Sequence, residues 1–426
     1  MNPNTLSALL DRNGTNAVLA HVYGEASDRA ADRLRHAVCR FSDLYGNNRD
    51  LSVFSVPGRS ELSGNHTDHN HGRVIAASVD LDMIAVVSPR DDACIRITSE
   101  GFEEIVVNID SYVTPDPVRY GTSASLVAGM CALFGENGLR IGGFDAYMTS
   151  DVLKGSGLSS SAAFEDMIGN ILNHLYNGGK VDNIEIAKFS QKAENLFFGK
   201  PCGLMDQVAC AHGGIVAIDF ETPASPVITP LSFDLTAAGY FLCIVNTGGN
   251  HADLTEDYAS IPAEMKAVAK EMGVSVLRQT NEATVIEAIP ALREKVGDRA
   301  ILRALHFFAE NRRVALQTSA LQNGDVPAFL AGVRASGHSS FEYLQNLYTI
   351  KDPSCQGLPL ALCLAERVLD GKVAACRVHG GGFAGTIQAF VPADTVEPFR
   401  QTMDKAFGKG ACLALHVRMS GAVRLF

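Results

Sequence analysis

The sequence lacks the cysteine patterns that indicate a disulfide framework or a zinc site. Its ten cysteines are scattered, without a CxxC pair, which is typical of reduced thiols in a cytoplasmic protein. The N-terminal segment also lacks a basic start followed by an apolar stretch, so we expect no signal peptide. These absences favour a cytoplasmic protein.

Two further absences restrict the partners. No apolar run approaches the roughly 18 residues that a membrane helix requires. No cluster of Lys and Arg provides the basic surface that nucleic acid or an anionic membrane needs, and the net charge is −11. We therefore expect no nucleic acid and no membrane as partners. The oligomeric state is left open, between a monomer and a weak homo-oligomer.

The composition indicates a well-packed globular protein of two domains. The chain has 426 residues, of which 46% are apolar and 19% charged, and this length exceeds an ordinary single core. Three prolines lie between Glu221 and Pro230 and indicate a boundary there. We predict one domain over residues 1–228 and a second over residues 229–426.

Hydrophobic periodicity predicts mixed helices and strands. Residues 1–47 are expected to be helical, and Leu51–Val56 is a predicted strand that Pro57-Gly58 should end. Residues 81–110 alternate as an antiparallel set of strands. A helix is predicted near residues 120–134 and a strand over Phe144–Thr149. The second half is predicted to begin with a strand, continue as helices and end in strands.

The stretch Gly155–Ala163 is the strongest local indication of a ligand site. Its glycines, serines and following helical pattern predict backbone N–H groups at a helix N-terminus, which suit a phosphate. The alternative is a flexible loop with a serine N-cap. The stretch is neither a Walker loop, since no Gly-Lys-Ser/Thr follows, nor a dinucleotide fingerprint, since the third glycine is missing.

A polar, histidine-rich segment follows the first predicted strand, from Arg59 to Gly72. His66, Asp68, His69 and His71 raise the possibility of a metal site. In an extended chain, however, successive side chains point to opposite faces and cannot converge on one ion. Their donors and acceptors favour the binding of vicinal sugar hydroxyls.

Two carboxylates in the middle of the chain are candidates for chemistry. Glu194 neighbours the apolar face of a predicted helix. The alternative interpretation is that it is an ordinary surface glutamate. Asp206 could simply cap a helix. It lies among Cys202, Leu204 and Met205, however, and an ionisable group in apolar surroundings needs a partner or a function.

Four separated segments resemble the GHMP small-molecule kinases and, within them, the galactokinase family. PGRSELSGNHTDHNHG (Pro57–Gly72) is similar to the sugar-binding signature, and GSGLSSSAAFE (Gly155–Glu165) is similar to the phosphate loop. AENLFFGKPCGLMDQ (Ala193–Gln207) resembles the segment with the metal-binding glutamate and the catalytic aspartate. RVHGGGFAG (Arg377–Gly385) resembles the C-terminal glycine motif.

The resemblance implies an α+β fold with a two-domain GHMP kinase architecture. Its N-terminal mixed-sheet domain would be similar to ribosomal protein S5 domain 2, its C-terminal domain would be α+β, and the active site would lie between them. The implied reaction is Mg²⁺-dependent transfer of a phosphoryl group from ATP to the anomeric hydroxyl of D-galactose. The implied partners are thus ATP and a small sugar.

The resemblance also implies the roles of individual residues. Asp206 would be the catalytic base, with Arg59 as its partner, and Ser161 and Glu194 would bind Mg²⁺. The backbone that would hold the ATP phosphates comprises Gly155, Ser156, Gly157, Leu158, Ser159, Ser160, Ser161 and Ala162. The residues matched to the sugar site are Asn65, His66, Asp68, Gly203 and Tyr258.

One departure from the family pattern concerns the sugar. Asn65 stands where the family usually has a glutamate near the 6-hydroxyl, so a negative charge is missing there. This leaves open a kinase for a related sugar such as galacturonate or N-acetylgalactosamine. A non-catalytic galactokinase-like sugar sensor is a further alternative, although Ser161, Glu194 and Asp206 are all retained.

Overall fold

Two β-sheets organise the fold of this computed structural model. It describes residues 1–10, 17–111, 114–152, 157–200, 202–249 and 254–426. The strands are β1 (Ser52–Ser63), β2 (Arg73–Pro89), β3 (Cys94–Ser99), β4 (Ile105–Asn108), β5 (Phe144–Ser150), β6 (Ile215–Asp219), β7 (Val227–Leu231), β8 (Tyr240–Asn246), β9 (Ala375–Val378), β10 (Thr386–Pro392), β11 (Cys412–Leu415) and β12 (Val423–Arg424).

Helices account for most of the other described residues. The predicted helical region over residues 1–47 is largely helical where it is described, and residues 11–16 lie outside the described residues. The helices are α1 (Pro3–Leu10), α2 (Ala17–Tyr23), α3 (Ser27–Tyr45), α4 (Ser123–Glu136), α5 (Ser160–Tyr176), α6 (Asn183–Leu196), α7 (Met205–His212), α8 (Thr255–Glu271), α9 (Glu282–Glu287), α10 (Ile289–Lys295), α11 (Asp298–Gln322), α12 (Val326–Ser339), α13 (Gly357–Val368) and α14 (Val396–Phe407). A π-helical turn, Ser340–Leu344, continues α12. Within the described ranges, no helix combines the length and apolar character needed to cross a bilayer.

The first sheet is mixed, with the order β12-β1-β2-β5-β3-β4 and with β6 and β7 added beside β2. β3 and β5 run parallel, whereas the other pairs are antiparallel. The prediction of one antiparallel set over residues 81–110 is therefore wrong in part. β5 lies between β2 and β3, so β2 and β3 do not pair with each other. Local patterning could not reveal this, because β5 is distant from both strands in the sequence. The second sheet is antiparallel, in the order β11-β8-β10-β9.

Strand β1 continues past the point where the sequence predicted its end. Pro57 still pairs with Asp82 of β2, and the register shifts between Pro57 and Arg59. This irregularity at Gly58 absorbs the break, as β-bulges do. A Cβ at Gly58 would lie 2.9 Å from the carbonyl oxygen of Leu158, so glycine permits the close approach. Arg59 therefore lies on a strand, not in a loop.

The cores position the phosphate loop. The predicted apolar face of α5, which includes Met167, Ile168, Ile171 and Leu172, is fully buried against the first sheet together with α4 and α6. The loop before α5 thus follows β5 and precedes a rigidly packed helix. This confirms the predicted strand–loop–helix arrangement and the α+β fold class.

The proposed division into residues 1–228 and 229–426 remains a prediction. Two observations bear on where it would be drawn. β7 contains position 228 and pairs with β6 of the first sheet. β12, near the C-terminus, pairs with β1 of the same sheet.

Candidate active site

Arg59 and Asp206 form a bidentate ion pair at the centre of the candidate site. Nε of Arg59 donates to Oδ1 of Asp206 at 2.6 Å, and Nη2 donates to Oδ2 at 2.5 Å. Arg59 comes from β1 and Asp206 from the first turn of α7. Asp206 is not the helix cap, because Leu204 occupies that position. The pairing that the resemblance implies is therefore present.

The phosphate loop contacts this ion pair directly. The Ser159 hydroxyl donates to Oδ2 of Asp206, and Nη1 of Arg59 donates to the carbonyl oxygen of Gly157. The backbone N–H of Arg59 donates to the carbonyl oxygen of Leu158 at 3.0 Å. The ion pair and the loop thus form one hydrogen-bonded unit.

Burial opposes ionisation of Asp206, but the charge and hydrogen bonds of Arg59 and the Ser159 hydroxyl outweigh it. The pKa of Asp206 is therefore lowered from its ordinary value. Burial likewise opposes the charge of Arg59, whereas Asp206 raises its pKa. Both groups are ionised at neutral pH. An ionised carboxylate there can accept a proton from a hydroxyl.

Helix α5 begins with backbone N–H groups that have no intrahelical partners. Ser159 precedes the helix in a left-handed conformation, φ 55°, and does not cap it. Its hydroxyl is directed to Asp206 instead, which disfavours the alternative of a simple serine N-cap. Ser160 and Ser161 are half-buried in the first turn, and Ala162 is buried. Gly155 and Ser156 lie outside the described residues.

A buried acidic cluster lies behind the loop. The Gln207 side-chain amide donates to Oε2 of Glu194 at 3.0 Å and to Oε2 of Glu165 at 3.1 Å. Lys200 donates to Oε1 of Glu194 at 2.7 Å. Glu165 is fully buried, and its Oε1 has no partner in the described structure.

This cluster suits a divalent cation. Burial raises the pKa of Glu165 well above its ordinary value, and the neighbouring charge of Glu194 raises it further. The neutral form of Glu165 is thus favoured, and Glu194, in its ion pair with Lys200, provides the charged oxygens of the cluster. Carboxylate oxygens are the ligands that Mg²⁺ prefers.

The histidine-rich segment and α8 form a second group of side chains. The ring of His66 lies 5.1 Å from that of Tyr258, and Nε2 of His69 lies 3.3 Å from the Tyr258 hydroxyl oxygen. Asp68 is partly exposed beside them, and a Cβ on Gly203 would lie 2.5 Å from Oδ2 of Asp68. Four of the five residues matched to the sugar site are thus near one another.

His66 is a neutral donor within this group. Burial lowers its pKa to about 3, and the charge of His69 contributes. Its Nε2 lies 3.0 Å from the carbonyl oxygen of Gly381, so the ring N–H is directed there. The segment is also not extended as the metal argument assumed, since Asp68–Asn70 forms a 3₁₀ turn. No group of three His, Cys, Asp or Glu residues in the described ranges could hold a metal.

Asn65 differs from the expectation of a sugar contact. It is fully buried, and its amide nitrogen donates to Oε1 of Glu61 at 3.2 Å and to the carbonyl oxygen of Gly380 at 2.7 Å. Its amide oxygen accepts from Ser340 at 3.3 Å and from Asn346 at 2.9 Å. All four hydrogen-bonding positions are used, so this amide has none left for a sugar hydroxyl.

Several residues of the site were missed by sequence reasoning. Glu165 closes the quoted phosphate-loop segment and Gln207 follows Asp206, so adjacency to a motif was an available signal for both. Lys200 also lies within a quoted segment, six positions after its partner Glu194, so the same signal was available for it. Glu61 lies within the sugar-binding segment, but its partner Arg377 is 316 positions away, so its role had no local signal.

Comparison with known proteins identifies the family. The model of the GHMP kinases N terminal domain matches residues 121–214, and the galactokinase galactose-binding signature matches residues 40–89. A galactokinase of Streptomyces coelicolor is 31% identical over 89% of this chain and 94% of its own length. One from Actinobacillus pleuropneumoniae is 33% identical over 88% of this chain and 93% of its own.

This chain belongs to the galactokinase family. It is therefore a sugar kinase of the GHMP class, whose members use ATP as a substrate. The galactokinase fold is also supported by a crystal structure of Lactococcus lactis galactokinase complexed with galactose. That structure has a TM-score of 0.76 and 24% sequence identity, and the match covers 93% of this chain and all of that one. The Methanococcus jannaschii mevalonate kinase matches with a TM-score of 0.59 at 14% identity over 86% of this chain and 98% of its own.

Proposed function

We propose that this protein transfers the γ-phosphoryl group of ATP to the anomeric hydroxyl of D-galactose, giving galactose 1-phosphate and ADP. The observation that carries the proposal is the hydrogen-bonded unit of Arg59, Asp206 and Ser159 at the start of α5. It brings a proton acceptor, a cation and a phosphate-binding loop to one point. Phosphoryl transfer depends mainly on such alignment and on neutralisation of charge.

Asp206 accepts the proton of the anomeric hydroxyl as the hydroxyl oxygen bonds to the γ-phosphorus. The bond from that phosphorus to the β,γ-bridging oxygen breaks, and ADP leaves. Arg59 keeps Asp206 ionised through its positive charge. The ionised form is required, because the neutral acid cannot accept that proton. The Ser159 hydroxyl fixes the direction of the carboxylate. A positioned base of this kind typically contributes roughly 10²–10⁴-fold to the rate.

The backbone N–H groups of the loop and the first turn of α5 bind the β- and γ-phosphates. Ser161 and Glu194 would hold Mg²⁺, which when bound neutralises charge on the phosphates. The Gln207 amide holds Glu194 by a hydrogen bond and is also bonded to Glu165. Lys200 lies at the exposed side of Glu194, where it balances the carboxylate charge.

His66, Asp68 and Tyr258 bind and orient the sugar. The remaining ring nitrogen of neutral His66 and the Asp68 carboxylate contribute acceptors, and the Tyr258 hydroxyl contributes a donor. The close approach of Gly203 to Asp68 leaves no room for a side chain. A cytoplasmic location and a monomeric or weakly associating state remain predictions.

The test is an ADP-release assay with Mg-ATP and a panel of galactose, galacturonate and N-acetylgalactosamine. We expect the highest kcat/KM with galactose. A clear preference for galacturonate or N-acetylgalactosamine would replace galactose with that sugar. Binding of galactose and ATP without ADP release would favour the sugar-sensor alternative.

A further inference from the structure

Glu61 is a buried carboxylate close to the catalytic pair that the proposed mechanism leaves unused. It lies two residues after Arg59 on β1, and the pairing with β2 is regular between these two positions. Residues i and i+2 of a strand point to the same face, about 7 Å apart. Glu61 therefore lies on the Arg59 side of the strand, one pleat repeat away.

One oxygen of Glu61 is fixed and the other is available. Oε1 accepts from Nη2 of Arg377 at 2.5 Å and from the Asn65 amide at 3.2 Å. Oε2 accepts no hydrogen bond from any residue that the structure describes, and it is absent from the enclosed side-chain atoms that have no partner. The carboxylate is thus held rigidly with a free acceptor, although only 6% of the residue is exposed.

The electrostatic surroundings place Glu61 beside the residues of the sugar group. Burial raises the pKa of Tyr258, and the charges of Asp68, Asp206 and Glu61 raise it further. Burial also raises the pKa of Glu61 itself, whereas Arg377 and Asn65 lower it and Asp68 raises it. Glu61 is therefore within reach of the charges that surround the proposed sugar position.

We propose that Oε2 of Glu61 accepts a hydrogen bond from a hydroxyl at the end of the hexose away from the anomeric carbon, on C4 or C6. This makes Glu61 a specificity-determining residue, and the inference rests on the proposed function. If the anomeric hydroxyl lies at Asp206, one pleat repeat along β1 corresponds to about the width of a pyranose ring. The far-end hydroxyls then face Glu61.

This assignment bears on the sugar alternatives. Asn65 removes a carboxylate from its own position, but Glu61 supplies one whose Oε1 is 3.2 Å from the Asn65 amide. The local negative charge is therefore kept. A uronate carboxylate next to Glu61 would meet like charge, so the structure disfavours galacturonate.

The test compares E61Q with the unmodified enzyme on galactose and on its 2-deoxy, 4-deoxy and 6-deoxy analogues. E61Q should lower kcat/KM about 10- to 100-fold for galactose and 2-deoxygalactose, the range for losing a hydrogen bond to a charged group. The analogue that lacks the recognised hydroxyl should change by less than about twofold. D82N is the matched control, because Asp82 is a fully buried carboxylate on β2 paired with Arg33 and Arg418. It should affect all four sugars by the same factor.

An equal loss for all four sugars in E61Q would overturn the inference while leaving the galactokinase function intact. If the unmodified enzyme phosphorylates none of them, the proposed function itself fails, and the inference fails with it. If E61Q does not fold, the inference still requires the unmodified enzyme to discriminate at least tenfold against 4-deoxy- or 6-deoxygalactose. E61D, which retains the charge opposite Arg377 but shortens the reach, should reduce that discrimination.

Discussion

The guanidinium of Arg59 spans both carboxylate oxygens of Asp206, with donor–acceptor distances of 2.6 and 2.5 Å. The two residues are 147 positions apart and come from a strand and a helix. Their geometry combines charge neutralisation with a fixed direction, which a single point charge cannot do. Asp206 is therefore expected to accept the proton and Arg59 to control the ionisation of Asp206. Substitutions can separate these two contributions.

Asp206→Asn should lower kcat about a hundredfold or more while the protein stays folded. The amide cannot take up the proton of the sugar hydroxyl, although it fills the same space. Turnover in the ADP-release assay and the thermal unfolding midpoint should be measured together. A folded variant with near-normal turnover would remove Asp206 from the mechanism.

Arg59→Lys should move the acidic limb of the pH–kcat profile to higher pH. Arg59 lowers the pKa of Asp206 against the effect of burial, and a lysine cannot donate to both oxygens in the same planar geometry. The pKa of Asp206 then rises, because burial is opposed less strongly. The protonated acid is inactive. As the pH is lowered, the variant should therefore lose turnover at a higher pH than the unmodified enzyme.

The full profile of kcat between pH 4 and 9 tests this expectation. Ser160→Ala is a suitable comparison, because it alters the neighbouring loop without removing a contact to Asp206. An acidic limb that stays in place in Arg59→Lys would show that Arg59 does not control the ionisation of Asp206 in the complex.

Glu194→Gln should raise the Mg²⁺ concentration needed for half-maximal activity by about tenfold or more. The substitution should also weaken the binding of Mn²⁺. Electron paramagnetic resonance measures this binding and does not require turnover. The reason is the loss of one anionic oxygen from a cluster that is held by Gln207 and faces Lys200.

Glu185→Gln provides the control for the metal. Glu185 lies on the same helix, but its side chain is half exposed and pairs with Lys188. The Mg²⁺ dependence of the activity should be unchanged in Glu185→Gln. Equal effects of the two substitutions would indicate a general charge effect and would contradict a metal role for Glu194.

The sequence was most informative where function depends on a short contiguous segment. The strand, loop and helix around Ser159–Ala162 followed from local pattern, and the resemblance paired Arg59 with Asp206. The family, the fold class and the enzyme class are confirmed by the comparisons. These features are encoded either locally or in motifs.

Features that depend on distant contacts could not be predicted. The ion pair between Glu61 and Arg377 joins residues 316 positions apart, and no periodicity connects them. The continuation of β1 past Pro57 depends on its pairing with β2. Asn65 was matched to the sugar site from its position in the motif. Its burial could not be predicted, because its four hydrogen-bond partners come from three separate segments.

Asp166, next to Glu165 on α5, is a buried acid whose ionisation the folded structure opposes. It is fully buried; Oδ1 accepts from the Ser190 hydroxyl at 2.8 Å, and Oδ2 has no partner in the described structure. Burial raises its pKa well above the ordinary value, and Ser190 opposes this only in part. In the unfolded chain the same carboxyl ionises near pH 4.

Asp166→Asn should therefore stabilise the protein increasingly as the pH rises from about 4 towards the folded-state pKa of Asp166. Over this window the folded wild type binds more protons than the unfolded chain, so its stability falls with pH by at most about 1.4 kcal/mol per unit from this group. The asparagine removes that dependence and still accepts from Ser190. Thermal unfolding midpoints at pH 5, 6 and 7 measure the difference, with Asp370→Asn as an exposed control. A difference that stays constant or shrinks as the pH rises would show that Asp166 is ionised in the folded protein.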